Sequence, residues 1–323
     1  MRSAPPRFVA TVQRHVARAP VADPRRRLNL GGMSSDLRPL VRVVAAHRQL
    51  EGSGFVVRRP FPSAALRLAD PFLLLDEMGP VSYAPGQAVG APDHPHRGFE
   101  TVTYMLAGSF EHEDSAGHRG TIGRGDVQWM TAGRGVVHSE MPSRAIREEG
   151  GDVHGFQLWV NLPARDKMIE PRYQEIPGGR IPEAVRDDGL ARVRVVAGEA
   201  LGARAVIETR TPIAYHDWTL APGAAVDVPL PPSYAAYAYV FGGSAVASGT
   251  ALADGQLGVF GDGSHVRLEV PKEAGSPARL LILAGVPLRE PVVTYGPFVM
   301  NTKEQIGQAV ADYQAGRLGA IAR

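Results

Sequence analysis

Glycine and proline interrupt this chain so often that little room is left for long helices. The 323 residues include 37 glycines and 27 prolines, which fall between short apolar runs such as residues 102–106 and 127–130. Glycine and proline are the strongest breakers of regular structure, and short apolar runs between turns are typical of strands. The sequence therefore predicts an all-β fold built from many short strands.

Two segments of the first half recur in the second half. The run YMLAGS at 104–109 has a counterpart in YVFGGS at 239–244, an offset of 135, and GDVQWMTAG at 125–133 is echoed by GQLGVFGDG at 255–263, an offset of 130. The change in offset fits a shorter connecting loop in the second copy. Two copies of a strand-rich unit of roughly 110 residues predict two small β-barrels or sandwiches that arose by duplication.

The positive charge is concentrated at the start of the chain. Residues 1–32 hold seven arginines and one acid and contribute +6 to a net charge of +2, so the remaining 291 residues carry −4. A slightly acidic body lacks the basic footprint of a nucleic-acid-binding protein. We expect residues 1–32 to be a structureless leader, either a transit peptide or a segment that precedes a true start at Met33.

Composition also limits the chemistry and the location of the protein. The sequence contains no cysteine, which excludes a disulfide framework, a thiolate metal site and a thiol nucleophile. Any metal must therefore bind nitrogen and oxygen ligands. The apolar run at 280–286 is far shorter than the roughly 20 residues that span a bilayer, so we expect no membrane anchor and predict a cytoplasmic protein.

Four residues with metal-binding side chains form two pairs, and the members of each pair are two residues apart. His94 and His96 form one pair, and His138 and Glu140 form the other. Residues two apart on a strand project from the same face, so two neighbouring strands facing a barrel interior bring all four groups to one point. Imidazole and carboxylate ligands suit Fe, Mn, Ni, Cu or Zn. The sequence therefore predicts one divalent transition metal in the first barrel.

The second copy of the repeat is predicted to lack this site. Adding the repeat offsets to the four ligand positions gives residues that cannot bind a metal: Pro229, Pro231, Leu268 and Val270. We therefore expect a metal-free second barrel that serves as a packing and lid domain. His216 and His265, the histidines of this half, are isolated in the sequence and are interpreted as ordinary surface residues.

The segments around the predicted ligands resemble the pirin family. The matching runs in the first half are HPHRGFET at 94–101, HEDS at 112–115, GDVQWMTAGRG at 125–135 and HSEMP at 138–142. Further similarity lies in DPFLLLDE at 70–77, QLWVNLP at 157–163 and GPFVMN at 296–301. The resemblance covers residues 36–320.

The resemblance implies two cupin-type barrels, a bicupin, with a short helical tail at the carboxyl end. It divides the chain into a metal-binding barrel at 36–165, a metal-free barrel at 166–290 and a tail at 291–323 that packs on the barrels. It also implies that the metal is iron, as Fe(II), with the ligands His94, His96, His138 and Glu140.

A second carboxylate competes with Glu140 for the metal. In many cupins the carboxylate ligand follows the paired histidines by four residues, and Glu100 occupies that place. Residues 96 and 100 share a face of an extended strand, so strand geometry leaves Glu100 open. The resemblance favours Glu140, and Glu100 would then support a ligand histidine. His112 and His118 are interpreted as solvated loop histidines.

The resemblance also implies an activity of the quercetin 2,3-dioxygenase type. Such an enzyme opens a flavonol ring with O2 and releases carbon monoxide, and Glu140 would take the proton of the 3-hydroxyl as general base. The partners would then be a small aromatic substrate and O2. The alternative is an iron- or redox-dependent regulatory protein that binds a metabolic enzyme or a transcription factor.

Overall fold

The structure of the chain is a computed structural model that describes residues 36–322. The predicted leader at 1–32 and the alternative start at Met33 lie outside the described residues. Between residues 36 and 322 strands dominate, and the predicted all-β fold with a short helix near the carboxyl end is confirmed. No helix in this range is long and apolar enough to cross a membrane.

The first half of the described chain is a succession of strands. Up to residue 176 these strands are β1 (Leu40–Ala45), β2 (His47–Glu51), β3 (Phe55–Phe61), β4 (Phe72–Tyr83), β5 (Ala91–His96), β6 (Phe99–Ala107), β7 (Phe110–Asp114), β8 (Arg119–Ile122), β9 (Val127–Thr131), β10 (Val136–Pro142), β11 (Gly151–Asn161) and β12 (Arg172–Ile176). Helix α1 (Arg144–Glu149) connects β10 to β11, and a 3₁₀ turn (Ala164–Asp166) precedes β12.

The second half begins with a 3₁₀ turn (Gly178–Arg180) and ends in a helix. Its strands are β13 (Glu183–Val185), β14 (Ala191–Ala197), β15 (Glu199–Ala200), β16 (Ala203–Arg204), β17 (Ile213–Leu220), β18 (Ala225–Pro229), β19 (Ala235–Gly242), β20 (Ser244–Ala247), β21 (Thr250–Ala253), β22 (Gln256–Phe260), β23 (His265–Glu269), β24 (Ala278–Gly285), β25 (Val293–Tyr295) and β26 (Phe298–Met300). Helix α2 (Lys303–Gln314) follows β26.

The strands form two barrels with the same strand order. The first pairs a seven-stranded sheet, β12-β9-β6-β11-β4-β3-β2, with a four-stranded sheet, β5-β10-β7-β8. The second pairs β1-β22-β19-β24-β17-β14-β13 with β18-β23-β20-β21. The repeated YMLAGS and YVFGGS segments lie on β6 and β19, which occupy the same place in the two large sheets. The predicted duplication of a barrel is therefore confirmed.

Each large sheet ends with a strand from the other side of the predicted division at residue 165. Strand β1 pairs with β22 of the second barrel, with Val43 opposite Gly258. Strand β12 pairs with β9 of the first barrel, with Gln174 opposite Trp129. The predicted division at residue 165 stays a prediction, and this exchange of edge strands ties the two barrels together across it.

The two large sheets pack face to face through aromatic side chains. Tyr104, Trp129 and Phe156 of the first barrel share one buried apolar cluster with Tyr215 and Tyr239 of the second. Burial of aromatic side chains of this size is a major source of stability at an interface. The two large sheets, one from each barrel, are therefore held together by a shared apolar cluster.

The carboxyl-terminal segment packs on the first barrel. Thr302 caps α2 with a capping box, in which the Gln305 side chain accepts a hydrogen bond from the backbone N–H of Thr302. Apolar side chains of β26 and α2, among them Phe298 and Ile306, form a buried cluster with Val137 of β10. This contact places the segment directly beside the strands that carry the paired histidines.

Candidate metal centre

Strands β5 and β10 bring the predicted ligand pairs together. The two strands are antiparallel neighbours, with His94 opposite His138 and His96 opposite Val136. The side chains of His94, His96 and His138 project from one face, and one ring nitrogen from each lies within 4.8 Å of the others. This convergence of three imidazoles can hold a metal ion.

Burial keeps the central histidines neutral. His96 and His138 are 2% and 0% exposed. Desolvation lowers the pKa of both imidazoles well below the usual range, and the neighbouring His94 lowers them further. A neutral imidazole is the form that binds a metal, so the folded barrel presents both rings ready for coordination.

Hydrogen bonds leave one nitrogen of each ring available. Nδ1 of His94 lies 2.8 Å from the Pro92 carbonyl oxygen, and Nδ1 of His96 lies 3.4 Å from that of Pro297. Such bonds fix the orientation and the tautomer of a ligand histidine and leave Nε2 for the metal. Both ring nitrogens of His138 are buried without a hydrogen-bond partner. An orphaned buried imidazole is costly, so the residues present fit a divalent metal.

Glu140 approaches the three histidines from the same strand as His138. Its Oε2 lies 4.0 Å from His138 Nε2. Its Oε1 accepts a hydrogen bond of 2.8 Å from the Thr103 hydroxyl, and the Gln157 amide donates to Oε2 at 3.1 Å. The carboxylate is therefore held beside the histidines by two strands of the large sheet. Its assignment as the fourth ligand stays a prediction.

Glu100 points away from the histidines. The chain turns at Gly98, which has a φ of +89°, so β5 and β6 are separate strands and residues 96 and 100 do not share a face. Glu100 instead accepts a 2.6 Å hydrogen bond from Thr131, on the face of the sheet that packs between the barrels. The expectation from strand periodicity was wrong because it ignored this turn.

Thr103 and Tyr104 show that β6 separates two environments. Thr103 contacts Glu140 on the metal side, and the next residue, Tyr104, lies in the apolar cluster between the barrels. Because side chains alternate along a strand, Glu100 shares the face of Tyr104. Burial raises the pKa of the Glu100 carboxyl.

His112 lies inside the first barrel, so its interpretation as a solvated loop residue was wrong. It is buried on β7, directly opposite Glu140 on β10, and its Nε2 lies 2.6 Å from Glu175 Oε1. His118 is exposed in the turn after β7, as predicted, and its Nδ1 lies 2.9 Å from Asp114. The alternation of Phe110 and His112 with the acids Glu111 and Glu113 is the sequence signal that could have placed His112 on a strand.

Apolar residues fill the corresponding positions of the second barrel. Strands β18 and β23 pair in the same manner as β5 and β10, with Val228 opposite Val266 and Val226 opposite Leu268. The structural counterparts of His94 and His96 are therefore Val226 and Val228, and the predicted counterparts Pro229 and Pro231 were wrong. The offset is 132 in this register, because the intervening loops differ in length between the copies.

The two histidines of the second half were predicted to be surface residues, and this prediction was wrong. His216 is fully buried on β17, and burial lowers its pKa to about 4. His265 is partly buried on β23, with Nε2 3.9 Å from Asp227. Within residues 36–322, the one group of three metal-binding side chains that lie close together is the histidine group of the first barrel.

Two contacts of the site come from segments distant in the sequence, and sequence reasoning did not predict them. The Pro297 carbonyl that faces His96 comes from the carboxyl-terminal segment, 201 residues away. The amide that holds Glu140 comes from Gln157 of β11, within the QLWVNLP run. Only the strand order brings these groups to the barrel interior.

Comparison with known proteins places both halves of the chain in one family. The family model named Pirin matches residues 54–160, and the model of the Pirin C-terminal cupin domain matches residues 215–319. A pirin-like protein of Solanum lycopersicum is 46% identical over 295 residues, which are 90% of this chain and 97% of that protein. Pirin of Homo sapiens is 44% identical over 282 residues, 85% of this chain and 92% of that protein.

A solved structure shares the arrangement of the two barrels. The crystal structure described as quercetin 2,3-dioxygenase from Acinetobacter baumannii is 37% identical to this chain and superposes with a TM-score of 0.83. The match covers 89% of this chain and the whole of that one.

Proposed function

The chain belongs to the pirin family, and from this membership we propose that it is a metal-dependent dioxygenase of the quercetin 2,3-dioxygenase type. Its substrates would be flavonols or similar enolisable aromatic compounds, together with O2. The observation that carries the proposal is the position of Glu140, a carboxylate held by two hydrogen bonds at the edge of a three-histidine group of which two members are buried. The structural similarity to a chain described as such a dioxygenase supports it.

His94, His96 and His138 would hold the metal, with Glu140 as the fourth ligand. We propose Fe(II), and the same nitrogen and oxygen donors also suit Mn, Ni, Cu or Zn. When bound, such an ion supplies Lewis-acid and redox chemistry with O2.

Glu140 is suited to accept a proton from the substrate. Thr103 donates to one carboxylate oxygen and Gln157 to the other, so the group has a fixed orientation while Oε2 faces the histidines. A flavonol 3-hydroxyl that enters this space would lose its proton to Glu140, which prepares the ring for attack by O2. Thr103 and Gln157 act as positioning residues.

Aromatic side chains border the histidine group on one side. The His96 ring lies 5.0 Å from the ring of Phe99 and 5.3 Å from that of Trp159, measured between centroids. Phe99 and Trp159 also contact one another, with centroids 4.3 Å apart. An apolar aromatic wall of this kind favours a planar aromatic substrate over a charged one.

Oxygen uptake by the metal-loaded protein tests the proposal. Protein purified without O2 and loaded with Fe(II) should consume many equivalents of O2 per chain with quercetin and release one carbon monoxide per O2. We propose that this reaction takes place in the cytoplasm. Absence of O2 uptake with any flavonol at full metal occupancy would show that the proposal is wrong, and would leave the iron-dependent regulatory role as the better account.

A further inference from the structure

A cavity lies between the barrels, on the opposite side of β6 from the histidines. Its volume is about 530 Å³, within the range of small-molecule sites. The first barrel lines it with Tyr104 and the turn between β8 and β9, and the second barrel lines it with residues of β13, β14, β17 and β24. Because Thr103 faces Glu140 and Tyr104 faces this cleft, the cavity is separate from the metal centre.

Three residues of the second barrel form a row along one wall of the cleft. Arg192 is directly opposite Thr219, and Thr219 is directly opposite Arg279, on three adjacent strands. Residues in such a row project from the same face of a sheet, so two guanidinium groups flank one hydroxyl. Arg124 from the first barrel lies on the facing wall. Cationic groups therefore line the cleft from both barrels.

One arginine of the cleft has a counterpart in the first barrel, and that counterpart is paired with an aspartate. Arg58 on β3 corresponds to Arg194 on β14, and Asp254 corresponds to Arg124 by the offset of 130 between the repeats. At the first position, both terminal nitrogens of Arg58 bind Asp254, at 2.9 and 3.0 Å. At the cleft, a cation stands where that aspartate would be. The cleft therefore lacks the anion that pairs with the arginine at the matched position.

The carboxylates of the cleft do not compensate for its arginines. Four arginines line it, at positions 124, 192, 194 and 279, against three acids, Asp126, Glu183 and Asp217. Asp126 accepts backbone N–H groups of Gly123 and Gly178 through its two oxygens, so it is committed to the turn. An excess of positive charge remains.

The remaining acids are each engaged with one arginine. Glu183 pairs with Arg192 at 3.1 Å, and Asp217 pairs with Arg279 at 3.2 Å. Asp217 is 4% exposed, accepts a hydrogen bond from Tyr104, and has a second oxygen without a partner. Within residues 36–322, the Arg124 side chain is left without an anion.

We propose that this cleft is a binding site for a small organic anion that carries phosphate or carboxylate groups. Arg124 and Arg192 would bind the anionic groups from opposite walls, since the guanidinium fork matches phosphate and carboxylate geometry. The hydroxyl of Thr219 lies between Arg192 and Arg279 and would donate to the same group. The unpartnered oxygen of Asp217 would accept a hydrogen bond from a hydroxyl of the ligand.

Calorimetric titration of the Fe(II)-loaded protein with inorganic phosphate, and separately with succinate, tests the site. We expect saturable binding of at least one anion, weakened by added salt. Phosphate alone would indicate a phosphate ester as ligand, and succinate alone a dicarboxylate. Arg192→Gln should weaken binding by roughly tenfold or more, and Arg124→Gln combined with it should weaken binding further.

Two control variants make the result specific. Arg204→Gln removes an exposed arginine of the second barrel that pairs with Glu199 at the same 3.1 Å as the Arg192 pair, and it should leave the affinity unchanged. His94→Ala should also leave the affinity unchanged, because it acts at the metal centre. The proposal is overturned if neither anion binds saturably, if Arg204→Gln weakens binding as much as Arg192→Gln, or if only His94→Ala abolishes it.

Discussion

The two barrels of this chain share a strand order and differ in what fills them. The interior of the first contains a polar set made up of His94, His96, His138, Glu140, Thr103 and Gln157. At the equivalent positions the second contains buried apolar residues: Val226, Val228, Leu268, Val270, Ala238 and Ile282. One backbone therefore supports either a candidate metal centre or apolar packing at these six positions.

This difference has an energetic consequence. Burying an aliphatic side chain stabilises a fold by about 1.5–3 kcal/mol, whereas burying a polar group without a partner costs free energy. The first barrel has given up apolar packing at these positions, and His138 keeps two unpartnered nitrogens. The second barrel fills the equivalent positions with apolar side chains and packs against the first through the aromatic cluster between the sheets, and its own unpartnered imidazole, His216, lies on β17, away from those positions.

The largest expected effect comes from removing a ligand of the first barrel. His138→Ala should strip the metal and abolish turnover together, because His138 is the most deeply buried member of the histidine group. Elemental analysis and O2 uptake measure the two losses. His265→Ala removes a partly buried histidine of the second barrel and should change neither quantity. Equal metal loss in both variants would erase the proposed difference between the barrels.

The next largest effect separates the two carboxylates of the first barrel. Glu140→Gln should keep much of the metal, because three imidazoles remain, and should lower flavonol turnover by roughly a hundred- to ten-thousandfold as the proton acceptor is lost. Glu100→Gln should lower turnover by less than about tenfold, since Glu100 faces the other barrel and does not reach the histidines. Rates are compared at matched metal content. A more damaging Glu100→Gln would mean that the carboxylate ligand has been misassigned.

A third prediction concerns the buried histidine of the second barrel. His216 has a pKa of about 4 in the folded protein, against 6.5 for an ordinary histidine, and both of its ring nitrogens lack partners. The unfolded chain therefore binds more protons between pH 6.5 and 4, so His216 destabilises the fold as the pH falls through this window.

Replacing His216 removes that penalty. The free energy of unfolding falls when the pH is lowered from 7 to 5. We expect this fall to be about 2 kcal/mol smaller in His216→Leu than in the parent. Urea unfolding at both pH values measures the difference, and metal content should not change. If the variant and the parent respond alike to acid, His216 is not held neutral by burial.

The smallest expected effect tests the carboxyl-terminal support of the metal centre. Arg97, next to His96, pairs with Asp312 of α2 at 2.7 Å, and the Pro297 carbonyl of the same segment faces His96. Asp312→Asn should loosen the segment and weaken metal binding by up to about tenfold. Asp227→Asn breaks an ion pair with Arg267 in the second barrel and should have no such effect. Unchanged metal affinity in Asp312→Asn would show that α2 does not orient His96.

The paired histidines were predictable because strand periodicity is local. His94 and His96 lie on one strand and His138 on its neighbour, as alternation along two strands requires. The duplication was visible because glycine turns preserve the repeat. The counterparts of His94 and His96 were placed wrongly by three residues, since sequence offsets do not record where loops shorten.

The failures in the first barrel have the same physical origin. Glu100 was grouped with His96 because a turn at Gly98 cannot be distinguished from a continuing strand by spacing alone. His112 was read as a loop residue because its neighbours are charged, although it points inward on β7. Contacts from Gln157 and Pro297 depend on strand order and could not be derived from local sequence.

The metal content of the whole chain tests the contrast between the barrels most directly. Protein purified without O2, loaded with excess Fe(II) and freed of loose metal is analysed for iron per chain. We expect one equivalent, bound by the histidines of the first barrel and lost in His94→Ala. Two tightly held equivalents, or one that survives His94→Ala and His138→Ala, would contradict it.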